Sequence, residues 1–153
     1  GEYYMLHRPS TSEFGKPEMW LSKSSDMLKW GNHVRVLKTR ESGWDSVRLG
    51  VCAAPIKTES GWLTLYHGAD ENNRYCVGAV LLDLNDPSKV LKRSEKPFLE
   101  PMNGYEKNGF FGDVVFPCGV VEKDKELYIY YGAADDKVCL VKTPIKDIFD
   151  TLV

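Results

Sequence analysis

Three basic side chains stand where strand-like runs end. Arg8 closes "YYMLHRP", Arg48 lies in "WDSVRLG", and His67 closes "WLTLYHG", with Lys57 following in "APIKT". Two guanidinium groups and an imidazole gathered round one pocket would suit a small dianion such as phosphate, because arginine presents a bidentate fork to such oxygens. The plain alternative for each arginine is a surface position or a carboxylate partner, and for His67 an ordinary hydrogen-bonded place in a strand. Acids form the second group. Asp135 ends "YYGAAD", and Asp113 sits in "FFGDVVFP". Paired carboxylates serve glycosidic chemistry as acid and base, and a single aspartate can accept hydrogen bonds from sugar hydroxyls. Tyr66, Tyr130, Tyr131, Phe110 and Phe111 could pack against a sugar ring, or fill the protein core instead. The four cysteines, Cys52, Cys76, Cys118 and Cys139, form no Cys-x-x-Cys pair. They read as small buried apolar residues, so no metal site is expected.

The elements that must position these groups announce themselves by repetition. "GWLTLYHGAD" (61–70) and "ELYIYYGAAD" (126–135) say nearly the same thing, with Gly68 and Gly132 separated by 64 residues. A weaker copy, "EYYMLHRPS", places His7 60 residues before His67. Each copy is followed by a second strand-like run: "EMWLSKSSD", "YCVGAVLLDL" and "KVCLVKTPI". These runs are short, rich in Tyr, Leu, Val and Ile, and bounded by Gly, Asp, Asn and Pro, which are strand signals. Helical periodicity is confined to the C-terminal "IKDIFDTLV". A period of about 60 residues in an all-β chain points to propeller blades carrying long loops. A chain of 153 residues supplies about two and a half of them, so a partial β-propeller with a short C-terminal helix is the expected fold, as one domain over residues 1–153. Strands apolar on both faces and open terminal edges then favour a homodimer or larger assembly.

Bulk properties narrow the partners. The net charge is −2, hydrophobic residues make up 42% and charged residues 27%, which is globular and gives no field for nucleic acid or an anionic membrane. No run of about 18 apolar residues would span a bilayer, and no signal-peptide pattern opens the chain. A cytoplasmic protein is expected. Gly1 stands first rather than Met, as in a trimmed chain.

Taken together, "LGVCAAPIKTESGWLTLYHG", "VGAVLLDLNDPSKVLKRSEKPFLEP" and "VVFPCGVVEKDKELYIYYGAADDKVCLV" resemble glycoside hydrolase family 130, the β-mannoside phosphorylases and their relatives. "YYMLHRP" and "SSDMLKW" fit in the same order, so the resemblance covers almost the whole chain. It implies the C-terminal half of a five-bladed propeller and inverting phosphorolysis of a β-mannoside to α-mannose 1-phosphate, with inorganic phosphate as co-substrate and no cofactor. It also implies phosphate ligands at Arg8, Arg48 and His67, and a mannosyl-holding acid at Asp135. Asp113, Tyr66 and Tyr131 join the expected substrate-binding set. Two departures stand out. "GVCAAPI" replaces the usual Pro-rich run, and the general acid belongs to an upstream segment with no match here, so no catalytic residue is assigned. A non-catalytic carbohydrate- or anion-binding half-propeller and a β-mannosidase of the same family are the alternatives.

Overall fold

The structure is a computed structural model that describes residues 1–10 and 12–153. Eleven strands form three antiparallel sheets. The first sheet holds β1 (Tyr3–His7), β2 (Met19–Ser24) and β3 (Gly31–Leu37). The second runs in the order β4 (Arg48–Val51), β6 (Gly61–Ala69), β7 (Tyr75–Leu82) and β8 (Val90–Arg93), with β5 (Ile56–Thr58) also paired to β6. The third holds β9 (Val115–Lys123), β10 (Glu126–Ala133) and β11 (Lys137–Pro144). Two short α-helices, α1 (Gly104–Lys107) and α2 (Ile145–Phe149), and a 3-10 turn at Ser12–Phe14 complete the described elements.

The repeat seen in the sequence is a repeat of strands. β1, β6 and β10 each open a hairpin with β2, β7 and β11 respectively. β4 and β9 are the strands that flank β6 and β10 on their other side. The first sheet carries no counterpart of β4 and the third none of β8 among the described residues. The molecule is therefore a partial propeller whose middle blade alone shows four successive strands. β1 and β11 each pair on one side only among the described residues.

The period of two along β6 explains how the sheets stack. Leu63 and Leu65 point to one side and join Val77, Ala79 and Leu81 of β7 against Val115, Leu127, Ile129 and Tyr131 of the third sheet. Tyr66 and Trp62 point to the other and join Leu49, Val80 and Leu82 against Met19 and Leu37 of the first sheet. The middle sheet is thus buried on both faces. The sequence read β10 as equally two-sided, but its outer face carries Tyr130, 44% exposed, beside Leu140 and Val138 of β11, both exposed. The cysteine expectation needs one correction. Cys76 is buried and Cys52 and Cys139 are partly so, but Cys118, at an irregularity in the pairing of β9 with β10, is exposed.

Candidate functional site: an arginine pair around a neutral histidine

Arg8, Arg48 and His67 lie at one end of the sheets, whereas Lys57 pairs with Trp62 at the other end of β6. Arg48 opens β4 and pairs with Ala69, which pairs in turn with Tyr75 of β7. These three residues form one row across the middle blade. Gly50, two residues along β4, pairs with His67. The side chains of Arg48, His67 and Tyr75 consequently share the face directed at the third sheet. Arg8 follows the end of β1 and reaches across from the first sheet, its Nη1 donating to Nε2 of His67 at 3.0 Å.

That bond fixes the imidazole's proton. Arginine can only donate, so Nε2 accepts and the ring hydrogen sits on Nδ1, which points at Cys52 Sγ 3.7 Å away. Burial, and then the charges of Arg8 and Arg48, push the His67 pKa down to about 3. The ring is 3% exposed and tilts against Phe116 at a centroid distance of 4.4 Å. At neutral pH the site therefore holds two guanidinium charges about an uncharged ring. His67 in this tautomer has no spare N–H for an anion. Its visible part is to orient Arg8, a different part from the ligand role that the resemblance implied.

Gly50 makes this closeness possible. A Cβ there would stand 2.8 Å from His67 Cε1 and 3.3 Å from Arg8 Cδ. The ring also lies against Phe116, which limits its retreat. Gly50→Ala is expected to cost about 1–3 kcal/mol as an overpacked site, lowering the melting temperature by about 2–4 °C for each kcal/mol in a chain of this size. A thermal melt of the variant that superimposes on wild type would mean the ring has room to move.

Arg48 is held differently. Its Nη1 donates to Tyr75 Oη at 3.1 Å and its Nη2 to Asn73 Oδ1 at 3.0 Å, and the guanidinium carbon lies 5.8 Å from the Tyr75 ring centroid. Asn73 sits in the turn between β6 and β7 with φ +58°, a left-handed conformation that asparagine tolerates better than most residues. Arg48, Tyr75, Phe111, Val114, Phe116 and Asp135 line a cavity of about 380 Å³. Asp135 comes from the equivalent turn of the third sheet, between β10 and β11, with φ +50°. An arginine, an acid and three aromatic rings thus face one space, a mixture suited to a charged group beside a hydroxylated ring.

The remaining arginines behave otherwise. Of the six in the chain, Arg35, Arg40, Arg74 and Arg93 each lie within 4 Å of a carboxylate. Among the described residues, Arg8 and Arg48 have no such partner, and both press on His67. The surface or carboxylate-paired reading open to every arginine at the start fits the other four.

Three expected substrate-binding residues lie elsewhere. Tyr66 is fully buried on the opposite face of β6. Its hydroxyl donates to Asp45 Oδ2 at 2.9 Å and accepts from Arg93 Nε at 3.0 Å, and burial pushes its pKa up to about 12. Tyr131 is 4% exposed and donates to Glu106 Oε1 at 2.8 Å. Glu106 also accepts from the backbone N–H groups of Met102 and Asn103, so Tyr131 anchors the long loop that carries Phe111. Neither ring is presented to a sugar in this structure. Asp113 is exposed, with φ +57°, and lies outside the lining of the cavity. Its backbone carbonyl accepts from Tyr75 N–H at 2.9 Å. Of the other proposed ring faces, Phe111 lines the cavity while Phe110 projects into solvent. Tyr75, Phe116 and Asn73 were not singled out from the sequence. Tyr75 and Asn73 occupy a polar turn, "DENNRY", and only the register of β4 on β6 brings that turn to Arg48.

Known proteins resemble this chain over nearly its whole length. The β-1,2-mannobiose phosphorylase of Listeria innocua is 51% identical over 152 residues, which cover 99% of this chain and 43% of that protein. The 1,2-β-oligomannan phosphorylase of a Thermoanaerobacter species is 46% identical over 148 residues, 97% of this chain and 48% of that one. The solved structure of the Listeria innocua phosphorylase with β-1,2-mannobiose superposes with a TM-score of 0.96, at 50% identity over 99% of this chain and 43% of that chain. The chain spans less than half the length of the curated relatives it matches. The family model described as β-1,4-mannooligosaccharide phosphorylase matches residues 1–153, and the chain belongs to that family, glycoside hydrolase family 130.

Proposed function

We propose that this chain forms the phosphate-holding wall, and part of the sugar-holding wall, of a β-mannoside phosphorylase. The observation that carries the reading is the pair of arginines left without carboxylates around a neutral histidine, next to a cavity that Asp135 closes from the adjacent blade. In the reaction, a phosphate oxygen attacks the anomeric carbon of a β-mannoside. The bond to the leaving sugar oxygen breaks, that oxygen takes up a proton, and α-mannose 1-phosphate results. Arg8 and Arg48 hold the dianion and offset its charge as it redistributes, which is positioning and electrostatic stabilisation together. Asp135 accepts hydrogen bonds from mannosyl hydroxyls, while Phe111 and Phe116 pack on the ring. Inorganic phosphate is the co-substrate, and no further cofactor enters the chemistry. Because two relatives at 46–51% identity are named for β-1,2 linkages, a β-1,2-mannoside is the substrate to offer first.

Calorimetric titration with inorganic phosphate tests the basic pair. Hydrogen bonds to a charged group contribute about 1.5–3 kcal/mol each, so Arg48→Ala is expected to weaken phosphate binding by about tenfold or more. Equal affinity in wild type and variant would remove the site, and with it the preference for phosphorolysis over hydrolysis by water.

A further inference from the structure

The two free arginines share a feature that their ligand chemistry does not require: every side-chain acceptor that holds them is uncharged. Arg8 donates to the neutral Nε2 of His67, and Arg48 donates to the phenol of Tyr75 and the amide oxygen of Asn73. The other four arginines donate to carboxylates. The two kinds of partner do different work. A carboxylate orients a guanidinium and cancels its charge, whereas an amide oxygen orients it and leaves the charge for something else.

We propose that Asn73 is a positioning residue for the anion site, fixing the fork of Arg48 while keeping its positive charge available to a phosphate-type dianion. This rests on the phosphate-holding reading above. Asn73 does not line the cavity itself and acts through Arg48. Its turn is already built to hold it in place: Asn73 N–H donates to the Asp70 carbonyl at 3.0 Å, and Asp70 Oδ1 accepts from the N–H groups of Asn72 and Arg74. Acids abound in that turn, with Asp70 and Glu71 nearby, so an amide rather than a carboxylate at the one position touching Arg48 is the informative choice.

The chemistry separates neutrality from geometry. Asn73→Asp keeps an acceptor of the same size at the same place, and aspartate tolerates the left-handed backbone as asparagine does. It would pair with Arg48 and turn a free cation into an ion pair. Asn73→Ala removes the acceptor and leaves the charge. A purely structural role ranks the aspartate variant above the alanine variant, because aspartate retains the hydrogen bond. The neutral-cradle role ranks them in the reverse order.

The experiment is a titration of inorganic phosphate at low salt into the wild-type chain, Arg48→Ala, Asn73→Asp and Asn73→Ala, with a thermal melt of each. Asn73→Asp is expected to melt within a few degrees of wild type and to lose phosphate affinity by about tenfold, from a unit charge several ångströms away at the protein surface. Asn73→Ala is expected to lose about threefold, because Arg48 keeps its charge and its bond to Tyr75 and gains only some side-chain freedom. Affinity in Asn73→Asp equal to wild type or better than Asn73→Ala, with Arg48→Ala still impaired, overturns the inference and leaves the phosphate site standing. No phosphate binding by wild type, or none of it lost in Arg48→Ala, overturns the phosphate-holding reading itself and the inference with it.

Discussion

Asp45→Ala is expected to be the most destabilising single change in the chain. Asp45 is fully buried, and its Oδ2 accepts from Arg40, from Arg93 Nη2 at 2.6 Å and from Tyr66 Oη at 2.9 Å. Arg93 also lies over the Tyr66 ring, 5.3 Å from its centroid, and the Trp44 and Tyr66 rings stack with centroids 5.3 Å apart. The carboxylate thus ties the segment ahead of β4 to both β6 and β8. Gly68 and Gly78 leave the room: a Cβ at Gly68 would come within 2.3 Å of Asp45 Cβ, and one at Gly78 within 2.5 Å of Trp44. Removing the carboxylate leaves two guanidinium groups and a buried phenol facing one another without their acceptor. Breaking a buried charged network from one side costs about 3–5 kcal/mol. Both arginines are partly exposed, so the lower end, about 3 kcal/mol, is the better figure once solvent screening is counted. A chain of this size should then melt about 6–12 °C lower. Asp45→Asn keeps the size and one acceptor and should lose less. A melt of Asp45→Ala within two degrees of wild type would show that the loop is held by Trp44 packing alone. Arg48 follows three residues after Asp45, so the same variant should also loosen the anion site.

The strands and the approach of Arg8 to His67 were legible in the sequence because a period of about 60 residues is a property of the order of residues, whereas Arg48 joined them through the family resemblance. Positions that match between copies must come to matching places. What was not legible is which face of a strand meets which neighbour. From Trp62 to Tyr66 the only polar residue of β6 is Thr64, itself buried, because both faces of the strand are covered, so no alternation of polar and apolar residues says that Leu65 looks toward the third sheet and Tyr66 toward the first. Tyr66 and Tyr131 were read as sugar platforms for that reason. Each is in fact an internal anchor, satisfied by an acid far along the chain: Asp45, 21 residues away, and Glu106, 25 residues away. Asp113 went astray differently. It flanks an aromatic pair, but with a left-handed backbone just ahead of β9 it is not among the residues that line the cavity. Asn73 and Tyr75 were invisible because turn composition carries no register. Only the pairing of Arg48 with Ala69, and of Ala69 with Tyr75, carries them to the site.

The purified 153-residue chain is expected to release no measurable mannose 1-phosphate from β-1,2- or β-1,4-mannobiose with phosphate. The half-site explains why. Inversion places phosphate on one face of the anomeric carbon and demands a proton for the leaving oxygen on the other. The cavity offers Arg48 on the proposed phosphate side, and among the described residues Asp135 is the only acid in its lining. If Asp135 holds mannosyl hydroxyls as a carboxylate, nothing in that lining is left to protonate the leaving group. A general acid contributes about 100- to 10,000-fold. The loss should exceed that, because the cavity is also open where an enclosing wall would orient the sugar and exclude water. The full-length Listeria innocua phosphorylase, assayed alongside, fixes the rate that counts as activity. Binding and turnover should separate: phosphate should still titrate onto the isolated chain while product stays absent. Robust, phosphate-dependent release from the chain alone would overturn this assignment of roles and make Asp135 the proton donor. Asp135→Asn would then abolish turnover while leaving phosphate binding intact, whereas a residue that only holds hydroxyls would raise KM more than it lowers kcat.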